Sequence, residues 1–296
     1  MKIHNATYAG KQYMIRDYIL IIGAMKSGTT TVFDALSHHP AITPCRPKEP
    51  GFFAFEEVWA QGFDWYENLF QFDPKIHRFA LDGSTDYTKR PFCEDVAKRL
   101  VASAPRNFHL IYIMRDPIKR IESHARHTQR TKREVGRFLS PRTDHSLDHG
   151  ISPVNLAASR YFYQLEPYRR FHQQGRLYLT TLEALKLDHE AEMLRIFDFL
   201  GLLPEKAALV PQHSNKAEEN RRATWLSNRL EYGRTFGFLN DVTRKRIAFR
   251  FKKSIEVSGR FKVTDGERAE LEKILRPEIN QLRSEFKFPG CDAWDL

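Results

Sequence analysis

The sequence predicts an α/β fold: a central parallel sheet of the P-loop type, flanked by helices, in a single domain over residues 1–296. Three observations predict it. Two continuous apolar runs rich in β-formers, at 18–23 and 108–114, read as buried strands. Helical patterns follow both runs, and buried strands alternating with helices imply a parallel sheet. No composition break marks a linker in the 296 residues, a length that buries a sizeable core.

Each element has its own signal. The strand YILIIG at 18–23 ends at Gly23, and a helix runs from about Gly28 to His38, stopping before Pro40. Residues 41–53 are proline-rich and read as loop, and DWYENLF at 64–70 reads as a short helix. FALD at 79–82 is a short strand, 91–103 an amphipathic helix, and FHLIYIM at 108–114 the second strong strand. Helical pattern resumes after Pro117. Residues 126–150 are polar and basic, a candidate lid or acceptor-binding insertion. A helix over 154–173, a strand over 176–181 and a helix over 188–200 ending at Gly201 follow. Near the C-terminus Thr264 and Glu267 have the spacing of a capping box. Leu271, Leu275, Ile279, Leu282 and Phe286 then line one helix face, and Pro277 is expected to kink or divide that helix.

Hydrophobic residues at 41% and charged residues at 28% exclude a disordered tail, a collagen-like rod and a disulfide-stapled miniprotein. Cys45, Cys93 and Cys291 are an odd count without a C-x-x-C pair, so they read as reduced thiols, neither a disulfide framework nor a zinc site. No stretch reaches the length of a transmembrane helix, and the N-terminus lacks a signal-peptide layout. A cytoplasmic protein without a membrane span is expected. The formal charge is +10, and Arg244–Lys262 alone holds eight basic residues against Glu256. Such local basicity points to a particular anionic ligand, or to a solvated helix face.

The first strand runs into Gly23-Ala-Met-Lys26-Ser27-Gly28-Thr29-Thr30-Thr31 and then a helix. Glycines let several backbone N–H groups curl inward, and the helix N-terminus adds its positive end. Gly23 and Gly28 keep the G-x4-G spacing of the nucleotide-triphosphatase loop, but Thr29 stands where that loop has its lysine. The cation is displaced back to Lys26. The second strand runs into Arg115-Asp116-Pro117, with Ser123 eight residues after Arg115. Asp116 suits an N-cap, and Arg115 with Ser123 suits a single phosphate. Asp116 read as a Walker B carboxylate for Mg²⁺ is the alternative.

The string IIGAMKSGTTTVFDALSHHP resembles the 5′-phosphosulfate loop of the sulfotransferases that use 3′-phosphoadenosine-5′-phosphosulfate (PAPS). The resemblance implies that Lys26 contacts the phosphosulfate bridge, with Ser27, Gly28, Thr29 and Thr30 holding the 5′-phosphate. IYIMRDPIKRIESH resembles the family's 3′-phosphate element, with Arg115 and Ser123 as ligands. His124 falls where an aromatic often lies near the adenine. Ser258-Gly259-Arg260 resembles the K-G-R loop that closes over the 3′-phosphate in the heparan-type branch. Gly259 and Arg260 match it, Ser258 replaces its lysine, and Lys252, Lys253 and Lys262 are candidates to compensate. Residues 244–264 thus form a basic nucleotide-closing segment.

Pro47-Lys48-Glu49-Pro50-Gly51-Phe52-Phe53 holds a carboxylate between prolines and beside aromatics. Pro50 biases Glu49 toward extended backbone, and a rigid carboxylate with a raised pKa suits a general base. The motif resembles the heparan sulfate N- and 3-O-sulfotransferase branch, as does GFDWYENLF. That likeness implies a soluble, bacterial-type member with Glu49 as base and Lys48 as supporting cation. His124 and His127 are the alternative bases, read as exposed. That branch has E-K-S-x-x-Y where this chain has Asp82-Gly83-Ser84-Thr85-Asp86-Tyr87, so its acceptor-side lysine is Gly83, and Lys89 is the nearby substitute.

The resulting expectation is an enzyme that moves a sulfuryl group from PAPS to a hydroxyl, or less readily an amine, without a metal, leaving adenosine 3′,5′-bisphosphate. The acceptor stays open among sugar hydroxyls, lipid or polyketide alcohols and small metabolites. The rivals are a P-loop kinase using ATP and Mg²⁺, a non-catalytic polyanion-binding protein built on 244–262, and a degenerate nucleotide binder. No nucleic-acid partner is expected, and the oligomeric state is open.

Overall fold

The computed structural model describes residues 6–8, 11–131, 151–205, 209, 221–222, 253–254 and 261–296, with side chains described over 14–126, 151–205, 209 and 261–296. A short antiparallel hairpin, β1 (Ala6–Tyr8) and β2 (Lys11–Tyr13), precedes the main sheet. The main sheet comprises β3 (Asp17–Gly23), β4 (Ile42–Pro44), β5 (Phe79–Asp82), β6 (Asn107–Met114) and β7 (Leu177–Thr181). Its order is β4-β5-β3-β6-β7, and every neighbouring pair is parallel. Both strong apolar runs are therefore central strands, buried on both faces as a covered parallel sheet requires.

Helix α1 (Thr29–Leu36) follows β3 and buries Val32, Phe33, Ala35 and Leu36. The expected helix at 64–70 is α3 (Gly62–Glu67), just after the short α2 (Glu56–Trp59). The expected helix at 91–103 is α4 (Val96–Ala102), and α5 runs Pro117–Thr131. Three expectations are corrected. The loop assigned to 41–53 contains β4, a three-residue edge strand ending in proline, where a lost N–H is tolerated. The single helix over 154–173 is three short ones: α6 (Pro153–Ala157), α7 (Tyr161–Leu165) and α8 (Arg169–Gln173). The chain breaks at Arg160 and again in a 3₁₀ turn holding Pro167, which lacks the N–H a continuing helix needs. Pro277 does not divide its helix.

After β7 come α9 (Leu182–Leu187) and α10 (His189–Leu200), the latter closed by Gly201. Two-residue strands β8 (Arg221–Arg222) and β9 (Lys253–Ser254) pair antiparallel. Helix α11 (Asp265–Phe286) opens with the expected Thr264/Glu267 capping box and runs undivided through Pro277. Its five-residue apolar stripe is buried, and it packs on α7 and α5. That burial outweighs the single bond the proline removes.

The order places β3 between β5 and β6, so the chain's crossovers reverse direction around it. Ligands of open parallel sheets bind beyond the carboxyl ends of strands at such a point. The loops leaving β3 and β6 emerge there side by side.

Candidate active site

The loop after β3 has the backbone of an anion cradle. Lys26 and Gly28 both take left-handed conformations, at φ 70° and φ 90°. Only glycine adopts that region without strain, and a Cβ at Gly28 would also lie 2.8 Å from Leu182 Cδ1. Gly28 caps α1 with no side-chain acceptor. The first-turn N–H groups of α1 thus lack a side-chain cap, an arrangement that an anion completes. Ser27 is fully buried, and its hydroxyl makes no well-formed hydrogen bond. The Tyr161 hydroxyl, which donates to the Arg115 carbonyl at 2.7 Å, is close enough to accept from it only weakly. A buried hydroxyl so poorly partnered, in a loop of this shape, fits a bound oxyanion.

The second candidate anion element lies on the adjacent strand. Arg115 leaves the carboxyl end of β6, which is paired with β3. The Arg115 N–H donates to the Tyr161 hydroxyl at 3.3 Å, so one phenol holds both backbone groups of Arg115. Asp116 accepts the Lys119 N–H at 2.8 Å, the predicted capping role, and its other oxygen lies 3.6 Å from Lys119 Nζ. Asp116 is thereby committed to the start of α5, which disfavours its reading as a magnesium ligand. Ser123 is half-buried on the same helix. Gly259, Arg260 and most of 244–264 lie outside the described residues. Phe261 and Val263, just beyond, pack against the apolar cluster that includes Ile118 and Ile121 of α5, and the Val263 N–H donates to Glu122 beside Ser123.

The Glu49 loop reaches the cradle from the other side. Lys48 Nζ donates to Thr30 Oγ1 at 2.9 Å and lies 5.0 Å from the centre of the Phe33 ring. Lys48 therefore sits against the phosphate loop. Burial lowers its pKa, opposed by Glu49 and Asp34. Glu49 itself is open to solvent on one side, but the protein packed round it hinders hydration of its charge. That desolvation raises its pKa; Lys48 opposes the rise and Asp86 adds to it. The expected extended backbone is corrected: Glu49 is left-handed, at φ 60°. Tertiary contacts override the proline bias. The nearby Gly51 N–H donates to Ser84 Oγ at 3.0 Å, and Ser84 donates to buried Asp82 at 2.7 Å. Tyr66 and Tyr87 donate to the other Asp82 oxygen at 2.8 and 2.6 Å.

Gly83 is closely packed. A Cβ there would lie 2.7 Å from Phe33 and 3.4 Å from Lys48 Cε, so Phe33 and the Lys48 stem fill the space a lysine would need. Lys89 is buried and paired with Asp86 at 2.7 Å, within electrostatic range of Glu49. It belongs to the wall behind the carboxylate. The reading of His124 as exposed is corrected: only 1% of it is exposed, and its Nδ1 lies 3.3 Å from Arg120. It shares an inward helix face with Arg120 and Ile121. The His127 side chain lies outside the described residues.

Sequence reasoning missed Arg120, Asn155, Ser159 and Tyr161. A signal existed for the first: buried Ile121 and Ala125 define a helical stripe, and Arg120 and His124 fall beside it at the same spacing.

Comparison with known proteins gives the following. The sequence model for the sulfotransferase domain matches residues 16–256. Over 189 residues the chain is 28% identical to heparan sulfate glucosamine 3-O-sulfotransferase 3A1 of Mus musculus, covering 62% of this chain and 45% of that protein. It is 26% identical over 200 residues to bifunctional heparan sulfate N-deacetylase/N-sulfotransferase 2 of Bos taurus, covering 62% of this chain and 22% of the relative. The matched part is thus less than half the length of these curated relatives. The sulfotransferase from Alicyclobacillus acidocaldarius superposes with a TM-score of 0.52 at 21% identity, covering 86% of this chain and 99% of that one, a likeness of fold.

Proposed function

The chain belongs to the sulfotransferase-domain family, and from that premise we propose that it transfers a sulfuryl group from PAPS to an acceptor hydroxyl. One observation carries the reading: Lys48 joins the Glu49 loop to Thr30 of the phosphate cradle. That bond brings a candidate base to the site where the donor's reactive end would lie.

The cradle suits the donor's 5′ end, since it offers a poorly partnered buried hydroxyl at Ser27 and a left-handed turn at Gly28. The backbone of 26–30 with Ser27, Thr29 and Thr30 would hold the 5′-phosphate, and Arg115 with Ser123 the 3′-phosphate. Gly259 and Arg260 would close over it, which the bond from the Val263 N–H to Glu122 of α5 supports. PAPS supplies the sulfuryl group and a phosphate leaving group. Glu49 takes the acceptor's proton as its oxygen attacks sulfur in line. The bond from sulfur to the bridging oxygen breaks, and Lys26 stabilises the charge developing on that oxygen. Lys48, held against the loop, adds a second cation on the donor side. Catalysis then consists of positioning and electrostatic stabilisation of a dispersed anionic transition state.

The acceptor proposed is a carbohydrate hydroxyl, by similarity to the named heparan sulfate relatives. The packing at Gly83 weighs against a mode of acceptor binding that needs a lysine at that position. For the compartment we propose the cytoplasm, a reading supported by Cys45, Cys93 and Cys291, which are buried and not joined in disulfides. No helix among the described residues is long and apolar enough to cross a membrane.

Incubation with sulfur-labelled PAPS and a panel of unsulfated and partly sulfated oligosaccharides tests the proposal. Label should move to at least one acceptor with wild type and be lost with Lys26→Ala. Phosphoryl transfer from ATP with Mg²⁺, and none from PAPS, would replace the proposal with a kinase.

A further inference from the structure

Arg120 is fully buried on α5, and its guanidinium is held by Ser159, Asn155 and Met25, with His124 Nδ1 also 3.3 Å away. Its Nε donates to Ser159 Oγ at 2.6 Å. Its Nη2 donates to the Asn155 carbonyl at 2.5 Å and to Asn155 Oδ1 at 2.6 Å. Its Nη1 donates to the Met25 carbonyl, inside the phosphate loop, at 3.3 Å. Asn155 is fixed in turn, since its Nδ2 donates to the Ile121 carbonyl at 3.0 Å. A fully buried arginine is uncommon, and its planar fork reaches several acceptors that a lysine's single nitrogen would not reach together.

The contact with Met25 matters because of peptide geometry. The C=O and N–H of a trans peptide point in opposite directions. With the Met25 carbonyl turned toward Arg120, the Lys26 N–H turns the opposite way, toward the cradle side of the loop. Lys26 follows at φ 70° and Gly28 at φ 90°, the alternation that makes successive N–H groups converge on an anion.

We propose that Arg120 is a positioning residue for the donor: it fixes the orientation of the Met25–Lys26 peptide and so shapes the loop for the 5′-phosphate, while Asn155 and Ser159 hold it in place. It does not touch the nucleotide. The inference rests on reading residues 23–31 as the donor's 5′ site, and the experiment separates the two claims.

Calorimetry would compare adenosine 3′,5′-bisphosphate with adenosine 3′-phosphate, which lacks the 5′ group, on wild type, Lys26→Ala, Arg120→Lys and Ser159→Ala. Arg120→Lys should weaken the bisphosphate by about tenfold or more, the worth of one charge-assisted hydrogen bond. It should leave the 3′-phosphate nearly unchanged. Ser159→Ala loosens the guanidinium while keeping the cation, and should show the same selective loss to a smaller degree; it also serves if Arg120→Lys fails to fold. Equal weakening of both nucleotides would mean a general structural role and overturn the proposal, as would no weakening of either. If Lys26→Ala also leaves the bisphosphate unaffected, the donor-site reading itself has failed.

Discussion

Gly83→Ala tests the packing that joins the Glu49 loop to the phosphate loop. The new Cβ would lie 2.7 Å from Phe33 Cδ2, closer than real Cβ contacts come, so the ring must move. Phe33 is buried on α1, and the Lys48 ammonium lies 5.0 Å from its ring centre while donating to Thr30 at 2.9 Å. Displacing the ring therefore disturbs both the core and that bond. Overpacking of this kind costs about 1–3 kcal/mol, which lowers a melting temperature by roughly 2–5 °C in a chain of this size. Loss of the Lys48–Thr30 bond loosens the Glu49 loop against the cradle, and misplacing a reacting group in this way lowers kcat/KM by up to about a hundredfold. Scanning calorimetry reads the first effect and steady-state sulfuryl transfer the second. Phe33→Leu makes room, so the double variant should lose less than the two single losses combined. An unchanged melting temperature and unchanged turnover in Gly83→Ala would refute the packing argument.

Two further predictions concern the reacting groups. Glu49 has a raised pKa, so kcat should fall as pH drops through a value above the ordinary carboxylate range, and Glu49→Gln should be inactive across the profile. The sign for stability runs the other way: a carboxyl raised by folding favours the native state below its unfolded pKa, and that contribution is lost as pH rises through the raised value. Glu49→Gln should therefore melt no lower than wild type at neutral pH, and a clearly lower melting temperature would contradict the raised pKa. Ser27→Ala removes a buried hydroxyl without a well-formed partner, so the unliganded protein should melt at the same temperature or higher. The same change should weaken adenosine 3′,5′-bisphosphate several-fold in calorimetry, and full retention of affinity would show that the hydroxyl is not a donor ligand.

Much of the candidate site was legible because its residues are local in sequence. The runs at 18–23 and 108–114 are continuous, apolar, strand-sized and rich in β-formers, so they read as covered strands, and both candidate anion elements follow directly from their ends. The Thr264/Glu267 box and the Asp116 cap depend on spacings of three residues, which sequence displays without help. What failed depended on distant contacts. The backbone of Glu49 is held at φ 60° in a loop that Asp82 anchors through Ser84 and Gly51, and that anchorage outweighs the bias from Pro50. His124 read as exposed because polar residues flank it, yet the helix turns it inward beside Arg120. Arg120 went unremarked because its acceptors on Asn155 and Ser159 lie 35 and 39 residues away and beyond the 126–150 segment. β4 is a three-residue edge strand among prolines, too short for any periodicity to declare it.

The most direct test of the donor assignment is calorimetric binding of adenosine 3′,5′-bisphosphate against ADP, without Mg²⁺, on wild type and Lys26→Ala. A clear preference for the bisphosphate, weakened by the substitution, is the predicted result. Equal affinity for the two nucleotides, or binding of ADP that requires Mg²⁺, would contradict the sulfotransferase reading of this site and favour the kinase.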